Sequence, residues 1–235
     1  MSGMINLLPR SDAEVKQIQD ALGDRWYAGV VLKDFATLDE AEERVRSWTG
    51  LGANISVGLG DGSAQEWRRA LEIAIRVESV PHLNQPWLSS AYAHGLLKGL
   101  GRDMLVNCLI HPDPRGRGLT VAHDIPETIV SSLTPDQCVA ILHGLGLKSI
   151  KLYPMRGQAG RGVLEALADA MSGQCAPSII EPSGGLSPED LDWVYSMGEE
   201  YGVVMIPHLY SSVRKSDGSL SDDALRIIKR HGTTI

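Results

Sequence analysis

Eight short apolar runs alternate with eight longer amphipathic stretches along the 235 residues of this chain, and few architectures accept that rhythm. The strand-like runs are 4–8, 27–33, 54–59, 80–84, 104–110, 149–153, 178–181 and 203–207. The helix-like stretches are 12–22, 38–49, 64–76, 88–100, 135–145, 162–171, 188–201 and 222–231. The strand runs are nearly continuous in apolar residues, as parallel strands covered on both faces should be. Thr37 precedes Asp39 and Glu40, while Thr134-Pro135-Asp136 and Ser187-Pro188-Glu189 each supply an N-cap, a proline for the first helical position and a first-turn acid. Eight strand–helix units predict an α/β fold, a single-domain (β/α)8 TIM barrel over 4–235. An open doubly wound sheet shares the local signature, but eight units would make it unusually wide.

One connection breaks the pattern. Residues 111–133 are rich in Gly, Pro and Arg and read as a long loop after the fifth strand, on the active-site face of a barrel. It serves either as a lid or as a surface excursion or subunit contact. His111 and His123 flank it and are expected in solvent.

A net charge of −7 argues against a nucleic-acid or membrane-surface role. No apolar run approaches the roughly 18 residues of a membrane span, and residues 1–4 lack a leader pattern. Cys108, Cys138 and Cys175 have no metal spacing and read as reduced, buried thiols of a cytoplasmic protein. The histidines show no HxxxH pair. Neither a metal nor an organic cofactor is expected, and the partner is a small molecule.

Of the lysines, only Lys33, Lys148 and Lys151 lie on or beside strands. In Ser149-Ile150-Lys151-Leu152-Tyr153, alternation sends Ser149, Lys151 and Tyr153 inward if Ile150 and Leu152 face the helices. Burial lowers an amine's pKa, and a neutral amine can attack a ketone to form a Schiff base. A snorkelling or ion-paired lysine is the plainer alternative.

Pro182-Ser183-Gly184-Gly185, before Ser187, offers backbone N–H groups that suit a phosphate or carboxylate after a seventh strand. Tyr210, Ser211 and Ser212 add hydroxyls after the eighth strand. Gly58-Leu59-Gly60-Asp61-Gly62 is a second candidate turn, without dinucleotide-fingerprint spacing. Glu181 and His208 end the last two strands and suit proton transfer. Lys33, Asn84 and Asn107, and His82 beside them, suit a substrate carboxylate or keto oxygen, although strand asparagines and histidines also serve as satisfied core groups.

Ser149-Ile150-Lys151-Leu152-Tyr153-Pro154-Met155 resembles the Lys-Phe-Phe-Pro strand of the class I aldolases acting on 2-keto-3-deoxy-6-phosphogluconate, and Glu181-Pro182-Ser183-Gly184-Gly185 resembles their Pro-Thr-Gly-Gly turn. Ser56-Val57-Gly58-Leu59-Gly60, His82-Leu83-Asn84-Gln85, Val106-Asn107 and Ile206-Pro207-His208-Leu209-Tyr210-Ser211-Ser212 are similar to blocks of the KDGP aldolase family of the glucosaminate pathway. The resemblance runs in order from Ile5 to Ile228. It implies a TIM barrel that cleaves 2-keto-3-deoxy-6-phosphogluconate to pyruvate and glyceraldehyde 3-phosphate. It also implies an imine on Lys151, a phosphate turn at 183–185, phosphate donors at Ser211 or Ser212, and a homo-oligomer.

The better-known phosphogluconate aldolases carry an acid–base glutamate on an early strand. Here the second strand offers Lys33 and then Asp34, so Glu181 takes that role. Arg156 and Arg161, with Arg115 and Arg117 in the long connection, are more basic than the family pattern and point to a different anionic end of the substrate. The rival readings are a metal-dependent 2-keto acid aldolase or lyase, an isomerase using Lys151 or Glu181 as base, and a non-catalytic barrel that binds a phosphorylated sugar acid.

Overall fold

A computed structural model describes residues 3–60, 66–113, 118–122, 130–173 and 179–231. Its strands are β1 (Ile5–Leu7), β2 (Trp26–Val31), β3 (Asn54–Gly58), β4 (His82–Pro86), β5 (Leu105–Pro112), β6 (Ser149–Leu152) and β7 (Ile179–Pro182). The eighth strand, β8, is in two pieces, Val204–Met205 and His208–Leu209. Neighbouring strands in this series pair in parallel. The first piece of β8 pairs with β7 and the second with β1, so the sheet closes on itself. This is the expected single (β/α)8 barrel.

The helices are α1 (Asp12–Leu22), α2 (Leu38–Gly50), α3 (Glu66–Arg76), α4 (Trp87–Gly99), α5 (Pro135–Gly144), α6 (Gly157–Ser172), α7 (Leu191–Tyr201) and α8 (Asp222–His231). Thr37 and Thr134 each close a capping box, with Glu40 and Gln137. Among the described residues, no helix is long and apolar enough to cross a membrane.

Alternation divides the strands into two chemistries. Ile55, Val57, Leu83, Val106, Cys108, Ile110, Ile150, Leu152 and Ile180 are buried in the apolar core, together with Val15, Ile18, Val45, Ile73 and Leu164 from the helices. The other strand face, which lines the inside of the barrel, carries Asn6, Ser56, His82, Asn84, Asn107, Ser149 and Glu181, all buried. Stability therefore resides mainly in the layer between sheet and helices, at about 25 cal/mol per Å2 of apolar surface removed from water. Cys108 and Cys138 are buried thiols, and burial pushes Cys138 up to about 12. Cys175 lies outside the described residues.

The connection after β5 differs from the expected loop. β5 continues through His111 and Pro112, and two further strands, Leu119–Ala122 and Val130–Leu133, extend it as an antiparallel arm. Leu119 and Val121 are buried, which gives this arm an apolar face. The expected exposed His111 is half-buried, its Nδ1 2.7 Å from the Tyr153 carbonyl. Arg115, Arg117 and His123 lie outside the described residues.

Arg214 ties the β8–α8 connection to the start of the chain. Its guanidinium meets both carboxylate oxygens of Glu14 at 2.9 and 3.0 Å and donates to the carbonyls of Leu8 and Gly218 at 2.6 and 3.0 Å. The two side chains are only 5% and 15% exposed. Arg214→Ala leaves Glu14 without its partner and is expected to cost about 3 kcal/mol, read from the midpoint of urea unfolding.

Candidate active site

The C-terminal ends of the strands surround a cavity of about 440 Å3. Asn6, Gly29, Ser56, Asn84, Lys151 and His208 line its inner part. Tyr153, Arg156, Ser183, Gly184, Gly185, Tyr210 and Ser211 line the mouth. The strand tips present these groups because parallel strands all end on the same side of a barrel.

Lys151 occupies the expected inward position, and its Nζ lies 3.2 Å from Nδ1 of His208. The other ring nitrogen, Nε2, is 2.6 Å from Glu181 Oε2. Glu181 Oε1 is 2.5 Å from Nε2 of His82, and Nδ1 of His82 is 2.8 Å from the Ser56 hydroxyl. Asn84 Nδ2 donates to Ser56 Oγ at 3.0 Å and to the Val57 carbonyl at 3.1 Å. Asn107 Nδ2 donates to Asn84 Oδ1 at 3.0 Å, and Ser149 Oγ donates to Asn107 Oδ1 at 2.9 Å. Ser149 Oγ is also 3.5 Å from Glu181 Oε1, so six polar side chains from β3 to β7 form a closed ring inside the barrel.

This ring sets the tautomers. Both amide hydrogens of Asn84 are used, so Ser56 receives one of them and gives its own proton to His82 Nδ1. His82 then donates Nε2–H to Glu181, and His208 does the same at the other carboxylate oxygen. His208 is left with an acceptor, Nδ1, facing Lys151.

The charges follow from that arrangement. Burial alone would raise Glu181, but the two imidazoles outweigh it and hold the carboxyl far below the usual range. Burial lowers Lys151 to about 8, partly offset by the Glu181 charge. Burial and the neighbouring Lys151 lower His208 to about 4. The site thus presents an ionised carboxylate, a neutral imidazole and an amine that is readily deprotonated.

The anticipated residues divide into those at the cavity and those behind or beside it. Glu181 is 0% exposed, with both oxygens engaged, while His208 keeps 12% of its side chain open. Asn84 lines the cavity, but its amide is committed to the ring. Asn107 is wholly buried behind it. Lys33 is exposed on the turn after β2, and its stem lies against Gly60. Ser211 lines the mouth, whereas Ser212 is exposed beside it. Asn6, in the middle of an apolar run, was not anticipated. Its sole sequence signal is an amide at an inward position of β1.

The turn at 183–185 has the shape of an anion cradle. Gly184 and Gly185 have φ of 77° and 100°. A Cβ on Gly184 would come 2.5 Å from the Tyr153 ring, and one on Gly185 2.1 Å from the Met155 carbonyl, so only glycine fits. Ser183 N donates to the Leu152 carbonyl at 2.9 Å, and Met155 N donates to the Ser183 carbonyl at 2.8 Å, which fastens the turn to the lysine strand. Among the described residues, no backbone carbonyl accepts from the N–H groups of Gly184 or Gly185. In the second candidate turn, Gly58, Leu59 and Gly60 line the cavity, while Asp61 and Gly62 lie outside the described residues.

The KDGP aldolase family model matches residues 2–217. A 2-dehydro-3-deoxy-phosphogluconate aldolase of Salmonella typhimurium (strain 14028s / SGSC 2262) is 27% identical over 231 residues, covering 96% of this chain and 93% of the relative. Among solved structures, a type I 3-dehydroquinate dehydratase from Clostridium difficile gives a TM-score of 0.62 at 14% identity, covering 99% of this chain and 94% of the other. A native KDPGal structure gives 0.54 at 14% identity, covering 97% and 90%. These two structural likenesses show the barrel fold. The family assignment rests on the sequence match along nearly the whole length: the chain belongs to the KDGP aldolase family and is an aldolase, a carbon–carbon lyase of the aldehyde-lyase type.

Proposed function

We propose that this aldolase acts through a Schiff base on Lys151. Its substrate is 2-keto-3-deoxy-6-phosphogluconate or a related 2-keto-3-deoxy sugar acid, and its products are pyruvate and an aldehyde, glyceraldehyde 3-phosphate. The observation that carries this reading is the amine of Lys151, lowered to about 8, lining the cavity 3.2 Å from a neutral histidine. The Salmonella relative's name supports the substrate class.

The neutral amine adds to the C2 ketone, and loss of water leaves an imine. His208 Nδ1, released from Lys151, takes the proton of the C4 hydroxyl. The C3–C4 bonding electrons move into the imine, giving an enamine and the free aldehyde. The enamine is protonated at C3, and water releases pyruvate from the lysine. Glu181 holds His208 Nε2–H throughout and stabilises the imidazolium that forms. Glu181 is thus a positioning residue, and His208 carries the proton. The backbone cradle at 183–185 and the Ser211 hydroxyl suit the phosphate at the mouth. Arg156 brings a cation to the same rim. Cys108 and Cys138 as buried thiols support a cytoplasmic setting. The exposed Leu88, Tyr92 and Leu100 offer apolar surface for a homo-oligomer contact.

Incubation with pyruvate and borohydride tests the reading. A reduced pyruvyl adduct on Lys151 is expected in the peptide mass map, and a folded protein with no adduct rules the Schiff base out. Glu181→Gln is expected to lower kcat about 100-fold by loosening His208. Glu181 raises the Lys151 pKa, so the same change should also move the rise of kcat/KM to lower pH. An unmoved profile would deny the coupling. Ser183→Asp, which sets a negative charge beside the cradle, should weaken a phosphorylated substrate about tenfold more than its phosphate-free analogue. Paired KM measurements check this.

A further inference from the structure

Four buried side-chain atoms among the described residues have no hydrogen-bond partner, and Asn6 Nδ2 is the one whose residue lines the cavity. Asn6 is 2% exposed. A buried amide donor is normally paired, and each exception calls for a reason. The other amide on the cavity wall, Asn84, has both hydrogens committed to Ser56 and Val57.

Position supplies the reason. Asn6 on β1 is in register with His208 on β8, so the two lie side by side on the inner face. Next to it is Gly29, which also lines the cavity. A Cβ on Gly29 would stand 2.1 Å from the Leu8 side chain and 3.2 Å from Asn6 Oδ1, so Leu8 and the amide oxygen pack over the glycine and fix which way the amide faces. An unused donor and the proposed proton carrier thus meet on the wall of the cavity.

We propose that Asn6 holds the carboxylate of the bound keto acid, with Nδ2 donating to a carboxylate oxygen in the cavity beside His208. The proposal rests on the Schiff-base reading, in which Lys151 fixes C2 beside His208. The carboxylate carbon is one bond from C2, so it stays in the layer of His208 and Asn6. The phosphate, at the far end of the substrate, reaches the mouth. Asn107, buried behind the cavity wall, and Lys33, exposed beside Gly60, stand apart from that layer.

The test compares pyruvate with hydroxyacetone, a ketone without a carboxylate, by borohydride trapping on wild type, Asn6→Leu and Asn6→Asp. Asn6→Leu is nearly isosteric and removes the unpaired donor, so it should fold with a melting temperature no lower than wild type. Its half-saturating pyruvate concentration should rise about tenfold while that for hydroxyacetone stays within about twofold. Asn6→Asp should show a larger selective loss through charge repulsion. Unchanged pyruvate trapping in both variants, or equal losses for the two ketones, overturns the role of Asn6. If wild type traps neither ketone, the Schiff-base reading itself fails, and that result is separate from any effect of the variants.

Discussion

Lys151→Met is expected to lower kcat by at least about 10^4-fold, the scale on which loss of a covalent nucleophile is felt. Among the described residues, no second amine lines the cavity to replace it. His208 accepts from it, and Glu181 lies behind His208 with both oxygens engaged. The pH dependence of the wild type follows from the same amine. With Lys151 at about 8, kcat/KM should fall tenfold per unit below that value and level off above it. Stability should move the opposite way to activity in the variant. The folded-state pKa lies below the ordinary 10.5, so the folded protein resists holding the lysine proton. That penalty is complete below about 8 and fades as pH rises toward 10.5. Lys151→Met should therefore melt higher than wild type at pH 7 and converge with it near pH 10.5. A variant that keeps near-normal turnover would remove Lys151 from the mechanism.

His208→Ala is the second large effect, with an expected loss of about 10^3-fold in kcat, within the range for a general acid–base group. Its signature separates it from the lysine variant. Lys151 remains, so pyruvate should still be trapped on it by borohydride, while cleavage of the full substrate slows. His208 stands at about 4 and is neutral at ordinary pH, so the wild-type profile should show no second rise between pH 5 and 7. If His208→Ala cleaved substrate at the wild-type rate, proton transfer would have to be reassigned to water.

The barrel was legible because hydrophobic periodicity reports strands and helices directly, and Lys151 was legible because a charged residue in an apolar run has few explanations. The fourth strand shows how tolerant the pattern is. Expected at 80–84, it runs from His82 to Pro86. A two-residue shift preserves the facing of every side chain, so His82 and Asn84 still point inward. The helix after Lys151 begins at Gly157, earlier than expected, because its glycines read as loop. The antiparallel arm after β5 was hidden by the Gly, Pro and Arg around it, although Leu119 and Val121 alternate as a strand should. The polar ring was out of reach of sequence for another reason. His82 and Glu181 are 99 positions apart, and only closure of the sheet brings them to 2.5 Å. The committed amides of Asn84 and Asn107, and the uncommitted one of Asn6, are likewise facts of packing that residue type alone does not carry.

The split in β8 has a consequence for how this enzyme comes into being. Val204–Met205 joins β7 and His208–Leu209 joins β1, so the seam that completes the cylinder passes beside His208. The strand formed first in the chain and the strand formed last must meet before the imidazole has its neighbours on both sides. A chain that lacks β8 has no imidazole beside Lys151. In the proposed mechanism, the proton transfer that cleavage needs is thereby withheld until the molecule is finished.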